Sequence, residues 1–148
     1  MGKPRVAFVV QRCGDDVRGG AERLCLQHAA HMMDDWACEI LTTCARDTAT
    51  WRNDFPAGET TIGGVAARRF PVARERDPMS FDALSRRVAG GGATLVEQQA
   101  WLRAQGPDAP ALTAHLAAQA LATLAGRAGV TLALISGRSV VDLHHRAQ

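Results

Sequence analysis

The stretch Arg5-Val6-Ala7-Phe8-Val9-Val10, with the polar segment 11–20 that follows it and ends in Gly19-Gly20, decides the fold of this chain. Apolar residues run from position 6 to position 10 without alternation, which is typical of a parallel strand buried on both faces. A helical pattern begins at Ala21. A buried strand, a glycine-containing loop and a helix predict a βα unit of an α/β sheet, in which ligands lie beyond the carboxyl ends of the strands.

The loop before this helix has two interpretations. It contains neither the Gly-x-Gly-x-x-Gly pattern of dinucleotide-binding folds nor the Gly-Lys-Ser/Thr pattern of P-loops. Gly19 and Gly20 are required either by the geometry of a short connection or by a ligand that approaches peptide groups at the helix N-terminus. The spacing alone leaves both interpretations open.

Further elements complete the expected sheet. Residues 37–43 read as a second strand, and Gly63-Gly64 between two strand-like runs predicts a tight hairpin over 60–70. Residues 130–135 read as a last buried strand. Together they predict an α/β fold with a Rossmann-like, mostly parallel sheet and flanking helices, in one domain covering 1–148.

Helices are expected at about 20–33, 80–89, 94–105, 111–126 and 139–147. Ser80 is a plausible cap, and Thr94 with Glu97 forms a capping-box pattern. In the first helix, the apolar stripe should consist of Ala21, Leu24, His28, Ala29 and Met32. The mixed-charge run 74–77 reads as a solvated link.

Composition excludes several classes of function. Seventeen basic and fifteen acidic residues give a net charge of +2, too small to indicate nucleic-acid binding, and there is no tyrosine. No apolar run reaches the length of a transmembrane helix, and no signal peptide is evident.

We expect no metal site, because His28 and His31 lack a third ligand. Cys25 and Cys38 should be small core residues.

Residues 1–116 resemble the N-terminal domain of the family 4 glycosyltransferases, which have the GT-B fold. The matching stretches include Gly19-Gly20-Ala21-Glu22 directly after the first strand and Cys38-Glu39-Ile40-Leu41-Thr42-Thr43. Thr50-Trp51-Arg52-Asn53, Arg69-Phe70-Pro71-Val72 and Trp101-Leu102-Arg103-Ala104-Gln105-Gly106-Pro107 follow in order. The ordered set makes the resemblance more specific than its first motif alone.

This resemblance implies one half of a two-domain enzyme that transfers a hexosyl group from a nucleotide-sugar without a bound metal or cofactor. The N-terminal half mainly receives the acceptor, a sugar or a lipid-linked molecule. Gly19 and Gly20 would line the cleft, and Glu22 either contacts the substrate or only favours the first helical turn. The donor-binding domain is missing from the sequence, so we expect no activity from this chain alone unless such a domain is supplied in trans.

The tail from residue 120 to 147 resembles a different family, the trehalose-phosphate phosphatases of the haloacid-dehalogenase class. The resemblance rests on Ser136-Gly137-Arg138 after a strand and implies that Ser136 contacts a substrate phosphate. The alternative for Ser136 is a plain helix cap. A junction between the two resemblances falls near 112–120.

Three hypotheses therefore remain: a glycosyltransferase fragment, a sugar-phosphate phosphatase fragment that uses Ser136, or a non-catalytic recombined α/β domain. We expect a cytoplasmic protein. The resemblance leaves open the alternative of a peripheral position at a membrane surface, because members of that family often act on lipid-linked acceptors. A domain separated from its partner would expose an apolar patch, so we also expect self-association.

Overall fold

The computed structural model describes residues 2–126 and 129–134. In these ranges an α/β fold is formed by five strands and four helices. The strands are β1 (Arg5–Val9), β2 (Ala37–Thr43), β3 (Gly58–Ile62), β4 (Val65–Phe70) and β5 (Val130–Leu134). The helices are α1 (Gly20–Met32), α2 (Pro78–Ala89), α3 (Leu95–Arg103) and α4 (Pro110–Leu124). The expected last helix at 139–147 lies outside the described residues.

The strands form one sheet in the order β3-β4-β2-β1-β5. β1 pairs in parallel with β2 and with β5, β2 pairs in parallel with β4, and only β3 runs antiparallel at an edge. The prediction of a mostly parallel sheet is confirmed. Because the chain goes from β1 to β2 on one side and to β5 on the other, the strand order reverses at β1. In open α/β sheets, ligands bind at the carboxyl ends beside such a reversal.

Helices cover both faces of the sheet. Val6, Phe8 and Val10 face α1 in one core cluster, whereas Ala7 and Val9 face α4 in another. Burial on both faces explains why the first strand is continuously apolar. On α4 the residues that pack against the sheet are Leu112 and Leu116, so the junction expected near 112–120 lies inside one continuous helix.

The stripe of α1 differs from the expected one. Its buried residues are Glu22, Cys25 and Ala29, with Ala21, Leu24 and Met32 packed at the margin of the core. His28 is exposed, so its assignment to the stripe was wrong. Cys25 is fully buried, as expected of a core residue, and Cys38 is half-buried against the same core.

Local signals place the turns and caps. Gly63 and Gly64 have φ angles of 56° and 80°, the positive pair that a two-residue hairpin requires. Thr94 and Glu97 form the expected capping box of α3. The expected cap of α2 was wrong: Asp77 is the cap, and its Oδ2 accepts hydrogen bonds from the backbone N and the Oγ of Ser80. Pro78 takes the first helical position, where it is favoured, so Asp77 becomes the cap and Ser80 lies inside the first turn.

The helices α2 and α3 form a hairpin of their own. Trp101 Nε1 donates to Ser85 Oγ at 2.9 Å, and Arg87 pairs with Glu97. Neither helix contains a buried residue. Within the described ranges, every helix is too short or too polar to span a bilayer.

Candidate functional site

In the part of the chain that the structure describes, three loops emerge at the carboxyl edge of the sheet. Residues 10–19 follow β1, residues 44–57 follow β2 and residues 71–77 follow β4. Since these three strands are parallel, their loops gather at one edge. The candidate site is built from these loops and from segment 104–109, which joins α3 to α4.

The loop after β1 is held firmly in place. Thr43 Oγ1 donates to the carbonyl of Gln11 at 2.6 Å, and Arg69 Nη2 donates to the carbonyl of Cys13 at 3.1 Å. The Arg69 guanidinium also stacks on the Phe55 ring at 4.0 Å. Neighbouring elements therefore hold the loop in one shape, as a preorganised site requires.

Two acidic residues secure the outer part of the same loop. Asp15 Oδ1 accepts a hydrogen bond from the Gly63 backbone at 2.8 Å, and Asp16 forms an ion pair with Arg46. Both acidic side chains thus have partners inside the protein. They hold the loop against its neighbours, and no ligand role is needed to account for them.

Glu22 lies against Gly19. A Cβ atom at Gly19 would lie 2.0 Å from Glu22 Oε2 and 3.1 Å from Arg12 Nη2. The Glu22 carboxylate is buried and pairs with Arg12 Nε at 2.6 Å. Arg12 Nη1 in turn donates to the carbonyl of Arg46 at 2.8 Å. A side chain at Gly19 would therefore require the Glu22 carboxylate, and its ion pair with Arg12, to move.

Gly20 has no such internal reason. It is exposed, a Cβ there would meet nothing within 4 Å, and its φ is not positive. It is the first residue of α1, and no described side chain caps this end of the helix. The first N–H groups of a helix have no intrahelical acceptor. The structure thus separates the paired glycines: Gly19 is covered by Glu22, and Gly20 faces open space.

A second part of the site surrounds Trp51. This residue is 2% exposed and has a φ of 54°, which is strained for a large side chain. Its neighbour Asn53 exchanges two hydrogen bonds of 2.8 Å with the backbone of Val72. Trp51 and Val72 share a small core with Ala45. The loops after β2 and β4 are thereby joined.

Arg76 ties the loops to the α2–α3 hairpin. Its Nε donates to the carbonyl of Ala49 at 2.9 Å, its Nη1 to that of Ala104 at 2.7 Å, and its Nη2 to that of Thr48. The guanidinium lies 4.1 Å from the Phe81 ring. Burial lowers the pKa of Arg76 from its usual value. The interpretation of 74–77 as a solvated link was therefore wrong at Arg76, because three carbonyl groups bind its side chain.

These loops enclose a pocket of about 260 Å³, which we call the Trp51 pocket. It is lined by Trp51, Arg74, Glu75, Arg76, Ala100, Arg103, Ala104, Gly106 and Asp108. Three of the stretches that carry the glycosyltransferase resemblance, around Trp51, Arg69 and Trp101, meet beside it. Sequence reasoning missed this pocket. The available signal was a tryptophan in a polar loop, with an Arg-Glu-Arg run further along the chain.

A pair of thiols lies beneath the β1–α1 loop. Cys13 and Cys25 are both fully buried. The neighbouring Cys25 thiol, helped by the positive charge of Arg69, lowers the pKa of Cys13, whereas Cys13 and burial raise the pKa of Cys25. Among the described residues, no group of three or more His, Cys, Asp or Glu side chains is placed to hold a metal ion.

Ser136 lies outside the described residues, so the structure does not place it beside Gly20 or the Trp51 pocket. Comparison of the chain with protein-family models, with curated proteins and with solved structures gave no match.

Proposed function

We propose that this chain is the acceptor-side domain of a glycosyltransferase that moves a hexosyl group from a nucleotide-sugar donor. The fold supports this proposal, because a mostly parallel sheet presents its loops at a reversal of strand order. The ordered stretches of the sequence resemblance supply the choice of chemistry, since a fold alone does not specify a function.

The observation that carries the proposal is the contrast between Gly19 and Gly20. Gly19 is explained by Glu22, whereas nothing inside the described structure requires glycine at position 20. A glycine that is free of internal constraint at an exposed helix start allows a ligand to approach the peptide group closely. We assign this approach to part of the sugar acceptor.

The charges at this end of α1 favour a hydroxyl group over a phosphate. Glu22 already places a carboxylate in the first turn of the helix, where the helix dipole favours negative charge. Arg12 neutralises this carboxylate through the ion pair. Because the Glu22 carboxylate already lies at the positive end of the helix dipole, a second anion would gain less there, whereas a neutral hydroxyl can accept a hydrogen bond from the Gly20 amide.

Transfer needs a second wall of the cleft. The family that the sequence resembles holds the nucleotide-sugar in a C-terminal domain, whereas the resemblance over residues 1–116 is to its N-terminal domain. The donor is therefore a substrate of the completed enzyme, with no bound cofactor or metal in this half. We expect the purified chain to give no transfer from UDP-glucose, and activity to arise only with a donor-binding domain added in trans.

The test is an NMR titration of the ¹⁵N-labelled chain with the methyl glycosides of glucose, mannose and galactose. At least one glycoside should shift the Gly20 amide, and Gly20→Ala should weaken its binding while leaving the fold unchanged. His31→Ala, an exposed change at the far end of α1, is the matched control. Equal binding by the wild type and Gly20→Ala would remove the main support for the proposal, as would transfer catalysed by the isolated chain.

The phosphatase hypothesis makes a different prediction. Phosphate release from trehalose 6-phosphate should require magnesium, because that chemistry needs a metal-assisted nucleophile. It should also be lost in Ser136→Ala, because this hypothesis makes Ser136 a contact of the substrate phosphate. We expect neither result. The non-catalytic hypothesis is favoured if no sugar, nucleotide-sugar or sugar phosphate shifts any amide of the site.

A further inference from the structure

We propose that the Trp51 pocket is a binding site for a small organic anion, whose phosphate or carboxylate group is held by Arg74 and Arg103. This inference does not depend on the proposed transferase function. It concerns a different part of the carboxyl edge from Gly20 and rests on the pocket's own charges and walls.

Three guanidinium groups line the pocket. Arg74, Arg76 and Arg103 all contribute to it, and none of them forms an ion pair with another described residue. The donors of Arg76 are bound to three backbone carbonyls, so its charge acts on the pocket through space. The side chains of Arg74 and Arg103 make no hydrogen bond within the described ranges. They are exposed and available to a ligand, and guanidinium groups suit carboxylates and phosphates.

The acidic residues of the lining do not cancel this charge. Glu75 and Asp108 are the carboxylates at the pocket, and both are exposed. Asp47 and Asp82 act on the charge of Arg76 from outside the lining. The binding of an anion therefore falls to Arg74 and Arg103, whose guanidinium donors have no partner among the described residues. The two carboxylates of the lining can accept hydrogen bonds from hydroxyl groups on the rest of the ligand.

Trp51 supplies the second line of support. Its indole Nε1–H is buried and has no acceptor among the described residues. A buried donor without an acceptor is unfavourable, and the strained backbone of Trp51 adds to this cost. Such features cluster at binding sites, where the rest of the structure holds them in place.

The size and walls of the pocket restrict the ligand. Its volume of about 260 Å³ lies just below the range of about 300–1,000 Å³ typical of sites for drug-sized ligands. Ala100 and Ala104 form an apolar wall beside Trp51. A molecule of the size of a single sugar with one anionic group matches these dimensions better than a whole nucleotide.

The experiment titrates the ¹⁵N-labelled full chain with glucose 6-phosphate, gluconate, inorganic phosphate and glucose. The signals to follow are the Trp51 indole N–H and the amides of Ala104 and Gly106. Glucose 6-phosphate or gluconate should shift them in a saturable way, and glucose should not. Inorganic phosphate separates recognition of the anionic group alone from recognition of the sugar body, and added sodium chloride should weaken binding by screening.

The variant Arg74→Gln/Arg103→Gln should raise the Kd by about tenfold or more, because each guanidinium contributes charge-assisted hydrogen bonds. The matched control, Arg23→Gln/Arg86→Gln, removes the same charge from exposed positions outside the pocket. Equal weakening by both pairs would show attraction to net charge only and would overturn the proposal. Unchanged binding in the first pair, or no shift with any of the three anions, would also overturn it. A shift of the Gly20 amide signal would report binding at the start of α1, which is the site of the proposed function, and is not used to judge binding in the Trp51 pocket.

Discussion

The Glu22 carboxylate occupies the position that a side chain at Gly19 would need, with Oε2 only 2.0 Å from where a Cβ would lie. The two residues are three apart in sequence and form one steric unit at the start of α1. Part of the Gly-Gly-Ala-Glu motif is thus explained by packing, which leaves Gly20 as the residue without an internal explanation.

Gly19→Ala should destabilise the protein by about 1–3 kcal/mol, because the new methyl group displaces a buried carboxylate from its ion pair. Gly20→Ala should leave the free energy of unfolding unchanged or raise it by up to about 1 kcal/mol. Urea denaturation followed by circular dichroism measures both. The effect of Gly19→Ala should shrink in a Glu22→Ala background, since the clash is then gone. Equal effects of Gly19→Ala in the two backgrounds would contradict the steric explanation.

Arg76→Ala should destabilise the protein by about 2–4 kcal/mol, because three carbonyl groups lose a charged donor. Arg76→Lys should recover little of this, since a single ammonium group cannot reproduce the planar fork of a guanidinium. Thermal unfolding measures the change. The control Arg86→Ala alters an exposed arginine of α2 and should change stability by less than about 0.5 kcal/mol. A similar small effect at Arg76 would show that its contacts are not structural.

Asp47 should make the loop before Trp51 sensitive to acid. Burial raises the pKa of Asp47. Hydrogen bonds from Thr50 and from the Ala49 backbone lower this pKa by more than burial raises it, so the net shift is downward. A lowered folded-state pKa stabilises the protein above the unfolded value of about 3.9, and this stabilisation is lost as the pH falls through the folded-state pKa. Asp47→Asn should therefore be less stable than the wild type at neutral pH, and the gap should close in strong acid. The measurement is the free energy of unfolding of both proteins between neutral pH and acid. A difference between them that stays constant with pH would argue against this role of Asp47.

The thiols should differ in reactivity. Cys38 is half-buried, whereas Cys13, Cys25 and Cys44 are 0%, 0% and 1% exposed. In the native protein, iodoacetamide should modify Cys38 first, as read by mass spectrometry of peptides. Cys38→Ser should remove the fast phase of the reaction. Fast modification of Cys44 in the folded chain would contradict the burial.

Burial also raises the pKa of the Cys38 and Cys44 thiols. A raised folded-state pKa gives stability that is complete below the unfolded value of about 8.5 and is lost as the pH rises towards the folded-state pKa. The free energy of unfolding should therefore fall in alkali. The fall should be smaller in Cys44→Ala, compared with its own stability at neutral pH. An equal fall in the two proteins would exclude Cys44 as a source.

The sequence predicted the sheet well because its signals are local. A continuous apolar run marked β1, and Gly63-Gly64 marked a hairpin turn whose two central residues have positive φ angles. The residue that caps a helix was harder to predict, because several neighbouring polar residues can take that position. Asp77, three residues before the expected cap, is the cap of α2 because the helix begins at Pro78, and Asp77 accepts from the backbone N of Ser80.

The candidate site was only half predictable. Gly19, Gly20 and Glu22 could be selected from the sequence, but their separation into a covered and an open glycine depends on where Glu22 folds. The Trp51 pocket was missed because its walls come from segments up to 57 residues apart, from Trp51 to Asp108. The contacts of Arg76 with Thr48, Ala49 and Ala104 are formed only in the folded chain.

Arg76 also makes separate parts of the molecule depend on one another. A single side chain fastens the loop after β2, its own loop and the end of the α2–α3 hairpin. Displacement of any one of these segments strains the other two. A molecule that immobilises one of these segments would therefore slow local opening in all three. Binding of a ligand beside Trp51 should then slow amide hydrogen exchange in α2 and α3.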